Sequence, residues 1–133
     1  MWDGKKWGAA LICLSALVHP TIASAQALSP MRLHLSSFED VFSVKVHPKN
    51  PYKHRIDMRV QVFDQNFKLV RARVTPRTMK LGAGASRTVT VVVPFEGKKK
   101  RKVRICATAI PFPKHKKIIR TRVCGRFFAQ RVQ

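Results

Sequence analysis

Acidic residues are scarce in this sequence. Its 133 residues include 27 Lys+Arg but only 6 Asp+Glu, which gives a formal net charge of +21. General acid–base catalysis needs titratable groups held close together, yet no two carboxylates are suitably spaced and no Gly-x-Ser-x-Gly or Cys/His nucleophile motif is present. The histidines His34, His47, His54 and His115 lack metal-ligand spacing. We therefore predict a binding protein rather than an enzyme, with no cofactor and no metal.

The sequence also lacks an apolar run long enough to span a membrane as a helix, which takes about 20 residues. Its N-terminal run, Ala9–Val18, is much shorter, follows Lys5 and Lys6, and precedes the motif Ala23-Ser24-Ala25. A basic start, a short apolar stretch and an A-x-A motif are typical of a secretory signal peptide. We predict a signal peptide over residues 1–25, a periplasmic or secreted protein, and no transmembrane segment in the mature chain. The alternative is an uncleaved anchor helix.

Cysteine is rare as well. Of the 3 cysteines, Cys13 lies in the predicted signal peptide, which leaves Cys106 and Cys124. Exported proteins favour disulfides because their compartment is oxidising. We predict one disulfide between Cys106 and Cys124, with two unpaired thiols as the alternative.

No segment after the predicted signal peptide has a helical hydrophobic period. Apolar residues instead alternate with polar ones, which is the period of a β-strand. Between the alternating segments lie glycine, proline, aspartate and asparagine, which are turn-forming residues. Residues 26–133 are therefore predicted to form one all-β domain, an antiparallel sandwich of about seven strands. The strands are predicted within Met31–Leu35, Phe42–Val46, Ile56–Val62, Leu69–Val74, Val89–Val93, Val103–Ala109 and Ile119–Phe128.

The two cysteines predict a register for the last two strands. A hairpin of segments 102–110 and 117–127 would hold them in a cross-strand disulfide. Both are out of phase with apolar neighbours such as Val103 and Val123, so the disulfide should lie on the outer face. Arginines opposed on that face should repel, which fits a face that binds anions or one that the disulfide must hold together. The predicted opposite pairs are Cys106–Cys124, Arg104–Arg126 and Thr108–Arg122.

Positive charge is concentrated in two clusters near the end of the chain. Cleavage after residue 25 would remove Lys5, Lys6 and Asp3, a net +1, and leave +20 of the full +21. Each cluster is either a solvated surface or an anion-binding site, with anionic lipid or polysaccharide as the partner. The predicted export argues against nucleic acid. The cationic residues are Lys98, Lys99, Lys100, Arg101 and Lys102 in the first cluster and Lys114, Lys116 and Lys117 in the second.

Several short motifs follow one another along the predicted domain. In order, they are LSPMRL at 28–33, VKV at 44–46 before Asn50-Pro51, VQVF at 60–63 before RVTP at 73–76, and LGAG at 81–84 before TVTVVV at 88–93. This order, over most of residues 28–128, resembles the N-terminal immunoglobulin-like domain of periplasmic pilus-assembly chaperones. The resemblance implies an immunoglobulin-like β-sandwich.

The resemblance also implies a mode of binding. In these chaperones the last strand of the domain offers its edge to an incomplete pilus subunit, and alternate apolar side chains fill the subunit's groove. A basic pair between two domains grips the subunit's terminal carboxylate. Arg32 matches the first-strand member of that pair by position, and Arg120 and Arg122 are the candidates for the last-strand member. Arg126 belongs to the same basic strand.

The sequence departs from the chaperone pattern in one respect. It ends at Gln133, so we expect no second domain and no cleft between domains. A single-domain relative is the expected form: an exported protein-interaction module that binds an envelope protein or pilus-like subunit through its last strand and basic face. The alternative is a strongly basic binder of anionic envelope polymers or lipids.

Overall fold

A computed structural model describes residues 27–111 and 120–132. Within these ranges the chain forms β-strands, and no helix of it is long and apolar enough to cross a membrane. The predicted signal peptide and Lys114, Lys116 and Lys117 lie outside the described residues. The strands are β1 (Leu28–Ser29), β2 (Arg32–Ser37), β3 (Val41–Pro48), β4 (Ile56–Phe63), β5 (Arg73–Thr75), β6 (Thr78–Leu81), β7 (Val89–Pro94), β8 (Lys100–Ile110) and β9 (Thr121–Arg131).

The strands form two sheets around one apolar core. One sheet has the order β1-β3-β7-β5 and the other has the order β2-β9-β8-β4-β6. Phe42 and Val91 of the first sheet join Ile105 and Phe127 of the second in a single buried cluster. The predicted all-β, immunoglobulin-like sandwich is confirmed.

Strand alternation decides which side chains enter this core. In β3 the side chains of Phe42, Val44 and Val46 are buried, whereas Ser43 and Lys45 between them are exposed. Burial of each such apolar side chain contributes about 1.5–3 kcal/mol to folding. The same alternation leaves the opposite side of each sheet to polar residues.

The first segment of the domain is divided between the two sheets, and the predicted strand Met31–Leu35 corresponds to β2. Leu28 and Ser29 pair with β3, whereas Arg32 to Ser37 pair with β9 in parallel. Pro30 lies at the crossing, where its missing N–H suits a break in the ladder. The predicted strand over 69–74 is reduced to β5, and β6 was missed because it is short and lies just after Pro76.

Candidate binding face and open edge

The Cys106–Cys124 disulfide joins β8 to β9, as predicted. The two residues are directly opposite, with their Cα atoms 4.0 Å apart. The backbone N–H of Arg126 donates to the carbonyl of Met31, just before β2, so Cys124, two residues earlier, also directs its N–H away from β8. The cysteines therefore form a non-hydrogen-bonded pair, where opposite Cα atoms are closest. The predicted pairs Arg104–Arg126 and Thr108–Arg122 are found as well.

The outer face of the five-stranded sheet, the side away from the core, is strongly basic. Among the described residues of this face, Asp57 is the one acidic side chain, and it lies opposite Lys80 on β6. Such an excess of one sign creates a potential that attracts anions. The cationic side chains that alternation places on this face are Arg32, Arg59, Lys80, Lys100, Lys102, Arg104, Arg122 and Arg126.

Three of these arginines form a row across neighbouring strands, which we call the Arg row: Arg32, Arg126 and Arg104. Arg32 lies opposite Arg126, and Arg126 lies opposite Arg104. Of the two predicted candidates for a basic pair with Arg32, Arg120 precedes β9 and Arg122 lies opposite Thr108. The arginine directly opposite Arg32 is Arg126, because β2 begins to pair with β9 at that residue.

Aromatic rings lie among these cations. The guanidinium carbon of Arg104 is 4.6 Å from the ring centroid of Phe67, within cation–π range. The Lys102 Nζ is 5.8 Å from the ring centroid of Phe128, whose other neighbour is His34 at 5.3 Å. Among the described residues, the buried Nε of Arg104 has no hydrogen-bond partner.

A tight turn after β4 places Phe67 over the Arg row. The Asp64 carboxylate accepts hydrogen bonds from the backbone N–H groups of Asn66, at 2.8 Å, and Lys68, at 2.9 Å. Phe67 adopts a φ of 59°, a left-handed conformation that is rare for a bulky residue. The turn and the outer face enclose a groove of about 660 Å³. Its lining includes the Arg row, Lys102, Gln65 and Phe128. Strain of this kind often marks a functional site.

The first predicted basic cluster, 98–102, is not one surface patch. Lys100 and Lys102 lie on the outer face, whereas Arg101 points to the other side of β8. There Arg101 forms an ion pair with Glu96 at 3.5 Å and donates to the carbonyl of Pro94. The strand period therefore divides the cluster.

The first half of β9 has an open edge, by which we mean the side of Thr121–Gly125 away from β8. Among the described residues, β2 pairs with β9 only from Arg126 to Arg131, so no strand covers this segment. The backbone N–H and C=O groups of Arg122 and Cys124 point to that side, because they share the phase of Arg126.

A loop after β3 supports the open edge at its start. The Tyr52 hydroxyl lies 3.4 Å from the Thr121 Oγ1, and the His54 Nε2 lies 2.8 Å from the carbonyl oxygen of Pro111 at the end of β8. The loop of 49–55 thus contacts the end of β8 and the start of β9, which lie side by side in the hairpin. Within 27–111 and 120–132, no three His, Cys, Asp or Glu side chains are grouped to hold a metal ion.

Solved structures share this arrangement of strands, although no protein-family model and no curated protein matches the sequence. A chain of the Salmonella enterica complex of the SafA pilin with the SafB chaperone superposes with a TM-score of 0.63 over 78% of this chain. The chain has a PapD-like fold. The sequence identity is 15%, and the match covers 53% of that chain, so this protein spans about half the length of the chaperone it matches.

Two further structures support the PapD-like fold. The Escherichia coli chaperone DraB gives a TM-score of 0.62 at 18% identity, with 78% of this chain and 54% of that chain covered. The PapD-like domain 7 of human CEP192 gives a TM-score of 0.57 at 12% sequence identity, and the match covers 90% of this chain and 96% of that chain. At these identities the likeness establishes the fold alone, and it spans both periplasmic chaperones and PapD-like domains of other proteins.

Proposed function

We propose that this protein is an exported protein-interaction module of the periplasm, which assists the assembly of a surface or envelope structure. Its contact would be strand addition, in which the open edge of β9 pairs with a strand of an envelope protein or pilus-like subunit. The observation that carries this proposal is the segment Thr121–Gly125, which among the described residues has no partner strand on its outer side.

The rigidity of this segment supports the proposal. The Cys106–Cys124 disulfide and the ladder to β8 fix its inner side, and Tyr52 contacts its first residue. A partner strand would therefore pair with an edge that is already ordered. Binding then avoids the entropic cost of ordering the β9 segment.

The PapD-like fold supports the same function. Chaperones with this fold have been solved with pilus subunits, including the SafA pilin complex and the complex of CsuC with the tip subunit CsuE of Acinetobacter baumannii. We propose that this chain, like those chaperones, acts by holding a protein partner rather than by catalysis.

Substitution of Arg122 separates strand addition from charge. Arg122→Pro removes a backbone N–H that points to the open edge, and the fold should tolerate it because that N–H has no partner on β8. Arg122→Gln removes the charge and keeps the N–H. In capture from an envelope extract, we expect the wild type and Arg122→Gln to retain one protein through a high-salt wash, and Arg122→Pro to lose it. Equal retention by both variants would contradict strand addition at this edge.

The basic outer face favours a second function, the binding of anionic envelope polymers or lipids. Charge-driven binding weakens with ionic strength, whereas backbone pairing persists. If the high-salt wash removes everything and the low-salt eluate contains lipid or polysaccharide, this second function is supported and strand addition is not.

A further inference from the structure

We infer that the Arg row and Lys102 form a binding site for a phosphate group, as a phosphate monoester or a diphosphate of a larger molecule. The inference rests on the second proposed function, because it names one site and one chemistry for anion binding. It does not depend on the open edge of β9.

The Arg row is uncompensated within the protein. Its members lie directly opposite one another on adjacent strands, which are about 4.8 Å apart, and like charges so placed repel. The ion pairs found among the described residues join Arg101 to Glu96 and Arg131 to Asp40, and neither involves the row. An anion bound between the three guanidinium groups would replace this repulsion by attraction.

The number of donors indicates which anion fits. A guanidinium presents its N–H groups as a planar fork that matches two oxygen atoms of a carboxylate or phosphate. A carboxylate has only two oxygens and one charge, which a single pair of arginines satisfies. A phosphate monoester has three acceptor oxygens and a charge of about −1.5 to −2 at neutral pH. Three arginines with Lys102 beside them therefore suit a phosphate better.

The turn over the row orders one of these arginines. The Phe67 ring packs on the Arg104 guanidinium at 4.6 Å, and the left-handed φ of Phe67 is held by the Asp64 hydrogen bonds that fix the turn. A guanidinium held in this way loses less freedom when it binds.

The size of the groove indicates that the phosphate belongs to a larger molecule. At about 660 Å³ the groove has the volume of a site for a small organic ligand, well beyond that of a phosphate alone. Phe128 gives it an apolar wall next to Lys102, and His34 lies on the other side of that ring. The remainder of the ligand would lie along this wall.

Calorimetric titration of the oxidised protein with inorganic pyrophosphate tests the site. At matched ionic strength we expect pyrophosphate to bind and acetate not to bind. Arg104→Gln and Arg126→Gln should each weaken pyrophosphate binding about tenfold or more, because each removes a charge-assisted hydrogen-bonding group. The matched control is Arg59→Gln, which removes the same charge from the same face but lies opposite Thr108 and Thr78, away from the row. It should leave the affinity within about twofold.

Thermal unfolding without added anion gives a second readout. Arg126→Gln should unfold at the same temperature as the wild type or higher, because it removes a repulsion. Arg104→Gln is left out of this comparison, because it also removes the packing of the guanidinium on the Phe67 ring. Reduced binding combined with undiminished stability would separate the site from a merely structural role. If Arg126→Gln unfolds at a lower temperature than Arg59→Gln, the repulsion on which the site is inferred is contradicted.

Two further ligands distinguish the source of the phosphate. Binding of glucose 1-phosphate would indicate a free phosphorylated sugar, whereas binding of phosphatidylcholine vesicles that contain phosphatidic acid would indicate a lipid headgroup. The site is overturned if pyrophosphate binds no better than acetate, or if Arg59→Gln weakens binding as much as the row variants. Equal weakening by Arg59→Gln would indicate diffuse charge-driven binding to the basic outer face and would exclude a specific site at the Arg row.

Discussion

Asn50 is the buried polar residue on which the loop between β3 and β4 depends. Its side chain is 0% exposed. The two hydrogens of its Nδ2 are shared among the carbonyl oxygens of His54, Leu81 and Gly82, at 2.7, 3.1 and 2.9 Å, and its Oδ1 accepts from the backbone N–H of Tyr52 at 2.8 Å. One amide thus satisfies backbone groups from two separate segments of the chain.

Removal of this amide should destabilise the fold by an amount that the contacts define. Asn50→Ala removes the two N–H donors and the one acceptor of the amide, each with a net value of about 1 kcal/mol, and leaves buried backbone groups without partners. We expect a loss of about 3–4 kcal/mol in the free energy of unfolding. The variant should also weaken capture through the open edge, because the same loop places Tyr52 against Thr121.

Asn50→Asp should be worse than Asn50→Ala at neutral pH and should recover in acid. The introduced carboxylate would face three carbonyl oxygens, which raises its pKa in the folded state above the unfolded value of about 3.9. Below the unfolded pKa both states are protonated and the ionisation penalty is absent. The loss of unfolding free energy that ionisation causes grows as the pH rises from the unfolded pKa to the folded-state pKa. Above the folded-state pKa this loss is constant.

Urea unfolding at neutral pH and at about pH 4 measures these differences. The exposed Asn66 provides the control, since its hydrogen bond to Asp64 uses only its backbone N–H. Asn66→Ala should change stability by no more than about 0.5 kcal/mol. The reasoning fails if Asn50→Asp lies within about 1 kcal/mol of the wild type at neutral pH. It also fails if the difference in unfolding free energy between Asn50→Asp and Asn50→Ala is as large at about pH 4 as at neutral pH.

Two further predictions concern the β8–β9 hairpin. The Cys106–Cys124 disulfide joins residues 18 apart in the sequence, so its reduction should lower the free energy of unfolding by about 3 kcal/mol through loop entropy. Urea unfolding with and without reductant measures this difference. A decrease below about 1 kcal/mol would contradict the expectation. Gly125→Ala would place a Cβ 3.0 Å from the backbone oxygen of Met31, and we expect thermal unfolding to show a loss of about 1–3 kcal/mol. Gly82→Ala, with nothing within 4 Å of its Cβ and no left-handed φ, is the control, and an equal effect at both positions would refute the steric explanation.

The strand pattern and the disulfide register were predictable because both depend on local alternation. Apolar residues recur at every second position of 42–46, 89–93 and 103–109, and the structure buries the residues at those positions. Cys106 and Cys124 could be placed opposite each other because two antiparallel strands joined by a short loop allow few registers. This part of the fold requires no knowledge of distant contacts.

The pairing of β2 was not predictable in the same way. A parallel strand pair is fixed by tertiary packing rather than by a connecting turn, so no register between Arg32 and β9 could be predicted. For that reason the position of Arg126 directly opposite Arg32 becomes visible only in the structure. The position of Phe67 over Arg104 was missed too, because it depends on a left-handed residue that composition does not reveal.

Amide hydrogen exchange at Arg122 and Cys124 tests strand addition most directly. The protein would be measured alone and with the partner that it retains through a high-salt wash. Because both N–H groups point to the open edge, pairing with a partner strand should slow their exchange strongly, while Thr121 and Val123, whose N–H groups face β8, should change little. Unchanged exchange at Arg122 and Cys124 in the complex would contradict binding through this edge.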